Sequence, residues 1–454
     1  MSNTSAHSNS ALGAMTTIAI VGGTVEAKTL HDLCSSRGLK TIILSVPGKL
    51  EVGSLGAADL VGCDIFLDAR GDATSDRADQ LRQAEATLPA TAMVATVARH
   101  RGLGSLSKSL ARPANFAGLC LSGTSDRAVI EVIRAPETSD DTIARFVGFA
   151  GQLGGKTLVV RDSPGFFSTR ISQIYFNEAM AMVGEGVPAA QVERAAVESG
   201  LESGPLALLD RISLKLSDDL LHQELHDLEH EAAHAGESAH DHGIEGHRDN
   251  HGHGHGDHDH DHAHAHDHGH GHSHDHDTDH SHATTAAAHG HKHSHKVKSK
   301  RMPEPAVYVM EKMAHGFRRM GREAGAGFYE YEDDGTASLW SGLKSFERRT
   351  TKLQAEDLRD RLLFIQALEM VRCIDEGVIG SIADANAALV HLGLFPAGGP
   401  GEFVNRLGSA AFVTRSQALA KSYGERFQPP ARLVDLANRN QPLEEQTASG
   451  TASN

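Results

Sequence analysis

The sequence is poor in cysteine, and its four cysteines form no recognisable pattern. Cys34, Cys63, Cys120 and Cys373 are scattered over 454 residues, without the C-x-x-C spacing of a zinc or redox motif. Disulfide frameworks are typical of small secreted chains that are dense in cysteine. The spacing therefore predicts reduced thiols in a cytoplasmic protein.

Long apolar runs and an excess of basic residues are also missing. No apolar stretch is long enough to span a bilayer, and Met1–Ser10 lacks the apolar core of a signal peptide. The formal net charge is −16 with histidine neutral. Since nucleic acids and anionic membranes attract basic surfaces, this charge predicts neither as a partner.

Histidine, by contrast, is abundant and concentrated. The chain has 31 histidines, and most of them lie in a low-complexity tract over 230–296, where they alternate with Asp, Gly and Ala. Such a composition buries too little apolar surface to fold alone, so the tract is predicted to be a disordered insert. Imidazoles and carboxylates at this density are ligands for Zn²⁺ or Ni²⁺, which gives a metal-binding hypothesis for the insert.

The N-terminal part alternates apolar, β-branched runs with helical segments. The predicted strands are Thr16–Val21, Thr41–Leu44, Ile65–Asp68, Thr91–Val97, Ala117–Leu121, Val129–Ile133 and Thr157–Val160. Strands that alternate with helices form a parallel, doubly wound sheet. The sequence therefore predicts an α/β, Rossmann-like domain over 16–160.

A glycine-containing turn follows the first strand. In the dinucleotide-binding pattern G-x-G-x-x-G, the three glycines allow a tight turn, the approach of the pyrophosphate and close helix packing, in that order. Gly22 and Gly23 open the turn, but Thr24 stands at the second glycine position and Ala27 at the third. Ser45 replaces the acid that binds the ribose. Two interpretations stay open: an NAD site with altered contacts, or a Rossmann-like sheet without a dinucleotide.

The segment Asp162–Arg170, with the sequence DSPGFFSTR, leads from the last predicted strand into a long predicted helix. The ring of Pro164 restricts its φ, and Gly165 can adopt φ values that other residues avoid, so this pair predicts a sharp turn of the chain. The part before the turn is α/β and the part after it is helical. We therefore expect a domain joint at this turn, with a substrate cleft beside it.

The same segment resembles the start of the C-terminal domain of 3-hydroxyacyl-CoA dehydrogenases. Gly204–Asp210, Gly321–Tyr331 and Gly399–Pro400 extend the resemblance in the same order. Residues 353–428 resemble a second copy of the helical domain, as in multifunctional β-oxidation enzymes, where the second copy replaces a dimer partner. The resemblance implies NAD-dependent oxidation of 3-hydroxyacyl-CoA to 3-oxoacyl-CoA, an acyl-CoA-type ligand, and a monomer or homodimer.

The resemblance also indicates which residues would carry the chemistry. Oxidation of a hydroxyl group needs a base for its proton and a hydride acceptor beside the carbon. The family uses a histidine as this base, a glutamate that orients the histidine, and an asparagine near the substrate oxygen. In this sequence Cys120 stands at the histidine position, Glu131 matches the glutamate, and Thr169 stands at the asparagine position.

Cys120 is predicted to be a buried small side chain rather than a base, because an ordinary thiol has a pKa of about 8.5 and a different reach from imidazole. Glu131 has two interpretations, since it is either a relic of a lost histidine partner or a partner of Arg170 across the joint.

Three functional hypotheses follow: a dehydrogenase, a non-catalytic ligand-binding or scaffold protein, and a metal-buffering protein. The predicted segments are a disordered tail over 1–15, the Rossmann-like domain over 16–160, a first helical domain over 161–229 and 297–345, the insert over 230–296, a second helical domain over 353–428, and a disordered tail over 429–454.

Overall fold

The computed structural model describes residues 17–22, 25–44, 60–70, 77–98, 102–123, 127–212, 214–237, 298–299, 301–348 and 354–445. The chain divides into two compact units. The first consists of Met1–Gln223 and Ser299–Asn454, and the second of Glu224–Lys298. None of the helices in the described ranges is both long and apolar enough to cross a membrane.

A seven-stranded sheet forms the N-terminal part of the first unit. Its strands are β1 Thr17–Val21, β2 Lys40–Leu44, β3 Ile65–Asp68, β4 Met93–Val97, β5 Phe116–Ser122, β6 Val129–Arg134 and β7 Lys156–Arg161. They lie in the order β2-β1-β3-β4-β5-β6-β7. From β1 the chain adds β2 on one side and β3 on the other, which is the switch point of a doubly wound sheet. The prediction of a Rossmann-like sheet is confirmed.

Helices cover this sheet and complete its core. Within the described residues they are α1 Val25–Ser36, α2 Arg77–Thr87, α3 Gly104–Ser109 and α4 Asp140–Gln152. α4 begins at an N-cap, where the side chain of Ser139 accepts a hydrogen bond from the backbone N–H of Thr142. The strands β1, β3 and β4 are buried along their whole length, as expected for central parallel strands between two helical layers.

One strand pair departs from the predicted parallel sheet. β5 and β6 are antiparallel, whereas the other five pairs are parallel. Only residues 123–128 separate these two strands, and so short a connection makes a hairpin, since a parallel crossover needs about a dozen residues or more. The hairpin register places Cys120 directly opposite Glu131.

Helices form most of the rest of the described residues. They are α5 Ser168–Gly184, α6 Ala189–Glu198, α7 Pro205–Ile212, α8 Leu214–Glu237, α9 Glu304–Glu311, α10 Ala355–Asp375, α11 Ile382–His391, α12 Gly399–Leu407, α13 Ser409–Tyr423 and α14 Ala431–Arg439. α5 is buried on nearly all sides and packs against α9 and α10. The first predicted helical domain also contains a small hairpin of β8 Tyr329–Tyr331 and β9 Ala337–Leu339.

The predicted disordered end over 429–454 is wrong for residues 431–445. α14 packs against α13 and buries Leu433, and Leu443 beyond the helix is buried as well. The backbone of Leu443 exchanges two hydrogen bonds with the side chain of Asn405, at 2.7 and 2.9 Å. A few apolar residues within a polar stretch are therefore enough to hold this segment on the helical core.

Three predicted segments lie wholly or partly outside the described residues. These are the tail over 1–15, the last residues of the chain from 446 onwards, and most of the histidine-rich insert. The insert was predicted to start at residue 230, but α8 continues to Glu237.

Candidate active site

Glu131 of β6 is directed from the sheet to the start of α5. It is fully buried, and its carboxylate accepts hydrogen bonds from the backbone N–H and the hydroxyl of Ser168, each at 2.6 Å, and from the N–H of Phe167 at 3.4 Å. Phe167 is the N-cap residue of α5, and its own side chain makes no capping hydrogen bond. Glu131 therefore caps α5 from the neighbouring strand, because a carboxylate satisfies the free N–H groups of a helix start.

Burial raises the pKa of Glu131, since removal from water disfavours the charged form, and the donors on Ser168 and Phe167 offset part of this rise. The predicted alternative pairing with Arg170 is wrong. Arg170 Nε lies 2.9 Å from Glu369 Oε1, and Arg170 Nη1 lies 2.5 Å from Glu376 Oε2. Because Arg170 is two residues beyond Ser168 on α5, its side chain faces α10 instead of the sheet.

Cys120 and Thr169 meet at one cavity. Cys120 is 1% exposed, and its Sγ lies 3.9 Å from Ser122 Oγ. Thr169 is 8% exposed in the first turn of α5. Both line a cavity of about 690 Å³, as does Ser168, while Glu131 lies behind Ser168 and outside the lining. Two of the three predicted catalytic residues thus reach the cavity, and the third supports it.

Ser168 is the residue that sequence reasoning missed. It contacts the buried carboxylate with both of its donors and also lines the cavity. A hydroxyl at a predicted helix start is a common capping signal, and this signal was present in the sequence. Its partner could not be identified, because Glu131 is 37 residues away in the chain.

The cavity has an apolar wall and three cationic side chains. The apolar wall is formed by Leu208, Ile212, Leu216, Leu392 and Leu394. Arg127, Arg211 and Arg322 supply the cations, and Glu202 and Glu323 are the acids in the lining. Guanidinium groups bind phosphate oxygens in pairs, and the cavity volume lies within the usual range for small-molecule sites. The cavity can therefore hold a ligand that has an apolar arm and phosphate groups. None of its described lining residues is a histidine.

The dinucleotide-binding residues are only partly described. Gly22 ends β1 with a φ of 145°, and a Cβ there would lie 2.5 Å from the carbonyl oxygen of Ala69, so the turn requires glycine. Ala27 is buried on α1. Gly23, Thr24 and Ser45 lie outside the described residues. The tight turn of the dinucleotide pattern is kept at Gly22, while two of its other positions are substituted.

An acid, Asp68, does lie at the carboxyl end of the neighbouring strand β3, but it is already bound to two arginines. Asp68 Oδ1 lies 2.8 Å from Arg70 Nε, and Asp68 Oδ2 lies 2.9 Å from Arg77 Nε. Burial raises the pKa of Asp68, and the two guanidinium groups outweigh this effect and hold it below its usual value. Asp68 is therefore a structural anion in this arrangement and does not replace the missing ribose ligand.

Two further sequence segments meet at Asp210. Asp210, at the end of Gly204–Asp210, accepts hydrogen bonds from the N–H groups of Phe328 and Tyr329, both at 2.8 Å, and from the Tyr331 hydroxyl at 2.9 Å. A Cβ on Gly327 would overlap this carboxylate. These segments therefore lock two parts of the helical half together.

Comparison with known proteins matches two segments of the chain to family domains. Residues 49–163 match the domain described as 3-hydroxyacyl-CoA dehydrogenase, NAD binding domain, and residues 165–249 match 3-hydroxyacyl-CoA dehydrogenase, C-terminal domain. The boundary between the two matches falls at the predicted joint. The glycine turn at Gly22 lies before the first match.

Curated relatives extend the similarity. The chain is 26% identical to a fatty acid oxidation complex subunit alpha of Shewanella putrefaciens over 349 residues, which cover 74% of this chain and 38% of the relative. It is 23% identical to the subunit of the same name from Pseudomonas savastanoi over 461 residues, which cover 95% of this chain and 54% of the relative. The chain thus spans about half or less of the length of these relatives.

Solved structures share the fold. A 3-hydroxybutyryl-CoA dehydrogenase from Escherichia coli K12 superposes with a TM-score of 0.59 at 13% identity and covers 94% of this chain and 99% of its own. The dehydrogenase part of multifunctional enzyme 1 from C. elegans superposes with a TM-score of 0.55 at 15% identity, covering 93% of this chain and 89% of its own. At these identities the likeness establishes the arrangement of the Rossmann-like and helical parts.

Proposed function

We propose that this chain, which belongs to the 3-hydroxyacyl-CoA dehydrogenase family of fatty acid β-oxidation oxidoreductases, binds an acyl-CoA-type thioester but has lost most of its dehydrogenase activity. The ligand would occupy the cavity lined by Cys120, Ser168 and Thr169, called the joint cavity below. The observation that carries this proposal is the pair Cys120 and Glu131. The register keeps the positions of base and orienting acid opposite each other, while a thiol stands where the family has an imidazole.

The position of the carboxylate supports the loss of activity. An orienting acid must accept a hydrogen bond from the base, and here Glu131 accepts its hydrogen bonds from Ser168 and Phe167. General acid–base catalysis contributes about 10²–10⁴-fold to a rate. The described lining contains no imidazole, which supports the proposed loss of this contribution.

The cavity lining supports ligand binding. Its apolar wall suits an acyl chain, and its arginines suit the phosphate groups of coenzyme A. Arg127 pairs with Glu202 at 2.7 Å, and Arg211 Nη2 lies 2.6 Å from Ser203 Oγ, so both cations are held in place at the cavity. Held cations lose little conformational entropy when a phosphate binds.

The test combines binding and turnover. We expect acetoacetyl-CoA to bind the wild-type protein in calorimetric titration, and Arg211→Ala to weaken this binding at least about tenfold, because a charge-assisted hydrogen bond is lost. Arg359→Ala, at an exposed position of α10, is the matched control and should bind as the wild type does. No detectable binding by the wild type would refute the proposed ligand class.

Turnover is measured in the same samples with NADH and acetoacetyl-CoA. We expect the wild type to stay well below about 1 per second, the lower end of ordinary enzymes. Cys120→His should raise the rate by about 10²-fold, since it returns an imidazole to the position opposite Glu131. Cys120→Ser, which keeps the size without adding a base, should not. Wild-type turnover at or above about 1 per second contradicts the proposed loss of activity.

A further inference from the structure

We propose that Asp218, His222 and His315 form a binding site for a divalent transition-metal ion, with Zn²⁺ as the best-suited ion. None of the three residues lines the joint cavity, and none belongs to the histidine-rich tract over 230–296 in the sequence. Asp218 and His222 lie on α8, and His315 lies in the π-helical turn Lys312–Gly316 that continues α9. The two sides of the site therefore come from segments before and after the insert.

The spacing on α8 brings two of the ligands together. Asp218 and His222 are one helical turn apart, so their side chains lie on one face. His222 Nδ1 lies 3.4 Å from Asp218 Oδ1 and 2.9 Å from the backbone oxygen of Asp218. Coordination of an ion through His222 Nδ1 would replace this contact with the backbone oxygen.

The third ligand approaches from the other segment. His315 Nε2 lies 3.2 Å from the same Asp218 Oδ1, and the rings of His222 and His315 are perpendicular with centroids 5.7 Å apart. One ligand atom from each of the three residues lies within 4.8 Å of the other two. Both imidazoles thus converge on one carboxylate oxygen.

These separations match the dimensions of a zinc site. Zn–N and Zn–O bonds are about 2.0–2.2 Å long, so two ligands of a tetrahedral zinc ion lie about 3.3–3.6 Å apart. The carboxylate-to-imidazole distances are close to this range before any metal is added. Two imidazoles and one carboxylate suit Zn²⁺, and also Co²⁺ and Ni²⁺, and they leave one position for water.

Burial and exposure favour a site that is anchored and yet accessible. Asp218 is 6% exposed, whereas the side chains of His222 and His315 are 46% and 54% exposed. The carboxylate is therefore fixed in the fold, and the imidazoles can be reached by an ion from solvent.

A metal at this position would close a long loop. Asp218 and His315 are 97 residues apart in the chain, with the insert between them. The folded chain already holds the two segments together, whereas the unfolded chain would have to close this long loop to bind the ion, so the ion prefers the folded state. The expected effect of the metal is therefore a more stable helical half, independent of any dehydrogenase activity.

Thermal unfolding of the full chain tests the site. Trp340, the single tryptophan, packs on Phe317 with ring centroids 4.8 Å apart, and Phe317 is two residues from His315. Its fluorescence therefore reports the unfolding of this region. We expect saturating Zn²⁺ to raise the unfolding temperature by about 5 °C over a sample with chelator, since an ion that binds only the folded state stabilises it.

Variants separate this site from other histidines. His315→Gln and His222→Gln should each abolish most of the zinc-dependent shift, and they should unfold near the wild-type temperature in chelator, because both side chains are half exposed. His391→Gln, at the end of α11, is the matched control and should keep the full shift. Metal content after dialysis should fall by one equivalent in the two site variants.

The alternative outcomes are equally clear. Histidines that bind Zn²⁺ equally well in the folded and the unfolded chain give no shift in the unfolding temperature. Absence of a zinc-dependent shift in the wild type would mean that Asp218 and the two histidines form only direct polar contacts with one another. A shift that survives in both His222→Gln and His315→Gln would place the ion elsewhere. Either result overturns the proposal.

Discussion

Two buried carboxylates, Asp210 in the helical half and Glu131 in the β5–β6 hairpin, differ in where their hydrogen-bond donors come from. Asp210 lies in one family-like segment, and its three donors come from another, Phe328–Tyr331. The resemblance gives Glu131 as the counterpart of the family's orienting acid, but its donors come from the start of α5, and the side chain opposite it is the thiol of Cys120. In the helical half, both partners of the contact lie in segments that resemble the family. In the β5–β6 hairpin, only the acid does.

This difference shows what a motif match establishes. The contacts of Asp210 serve packing, so their presence indicates that the architecture is intact. Glu131 satisfies a packing requirement as the cap of α5, and this role alone is enough to explain its presence. A retained acid is therefore weak support for retained chemistry when the fold needs the same acid.

Asp210→Ala should cause the largest fall in the free energy of unfolding, and it tests the helical side of the comparison. It leaves two N–H groups and one hydroxyl without this acceptor, at about 1–3 kcal/mol each, so the free energy of unfolding should fall by roughly 3–9 kcal/mol. Denaturant unfolding followed by Trp340 fluorescence measures this loss, because the backbone N–H of Trp340 donates to the Phe328 carbonyl at 2.9 Å.

The control for this change is Asp334→Ala. Asp334 is exposed and accepts hydrogen bonds from Thr336 alone, so its removal should change the free energy of unfolding by no more than about 0.5 kcal/mol. Equal effects of the two substitutions would mean that the contacts between the family-like segments do not stabilise the helical half.

Arg361→Met is the next test, because it breaks the ion-pair network that holds α10 to α5. Arg361 is 1% exposed and binds Glu178 at 2.5 Å and Glu185 at 2.6 Å. Removal of one partner from a buried pair leaves an uncompensated charge, so the free energy of unfolding should fall by about 3–5 kcal/mol. Thermal or denaturant unfolding, followed by circular dichroism, measures the loss.

Arg359→Met is the matched control for this network, since Arg359 is exposed on the same helix. It should change stability by about 0.5 kcal/mol or less. If Arg361→Met were as mild as the control, the remaining pair between Arg426 and Glu178, at 2.5 Å, would be sufficient to balance the charge of Glu178.

The sequence was informative where the signal is local. β1 and β3 are continuous apolar runs, so their positions were predicted to within one residue. The start of α11 was also predicted, because Ser381 provides its N-cap and accepts a hydrogen bond from the Asp384 N–H. The predicted direction of β6 was wrong. The alternation of strands and helices predicts parallel pairs, but the connection between β5 and β6 is too short for a parallel crossover.

The site was less predictable, because its contacts join distant parts of the chain. The cap of α5 by Glu131 spans 37 residues, and the pair of Arg361 with Glu178 spans 183. The spacing of Asp218 and His222 is a local metal-ligand signal, but His315 is one of 31 histidines, and nothing in the sequence distinguishes it from the others. Only the packing of α8 against the turn after α9 identifies this partner.

Glu131→Gln should have the smallest effect on the free energy of unfolding. It tests the β5–β6 hairpin side of the comparison through the pH dependence of stability. Burial raises the pKa of Glu131 above its unfolded value of about 4.3, so the folded protein binds more protons than the unfolded chain between the two pKa values. Stability must therefore fall as pH rises through this window. Glutamine does not ionise and keeps an oxygen that accepts from Ser168, so the variant should lose this contribution, about 1.4 kcal/mol for each unit of pKa shift.

The measurement is the free energy of unfolding against pH, as the difference between Glu131→Gln and the wild type. Glu193 and Asp210 also have pKa values raised by burial, but they are present in both proteins and cancel in this difference. Glu356→Gln, at an exposed position, should leave the slope unchanged. A variant that matches the wild-type slope would mean that Glu131 ionises in the folded state as readily as in water. Its surroundings would then permit the charged form that an orienting acid needs. The β5–β6 hairpin would in that case suit acid–base chemistry better than the thiol at position 120 indicates.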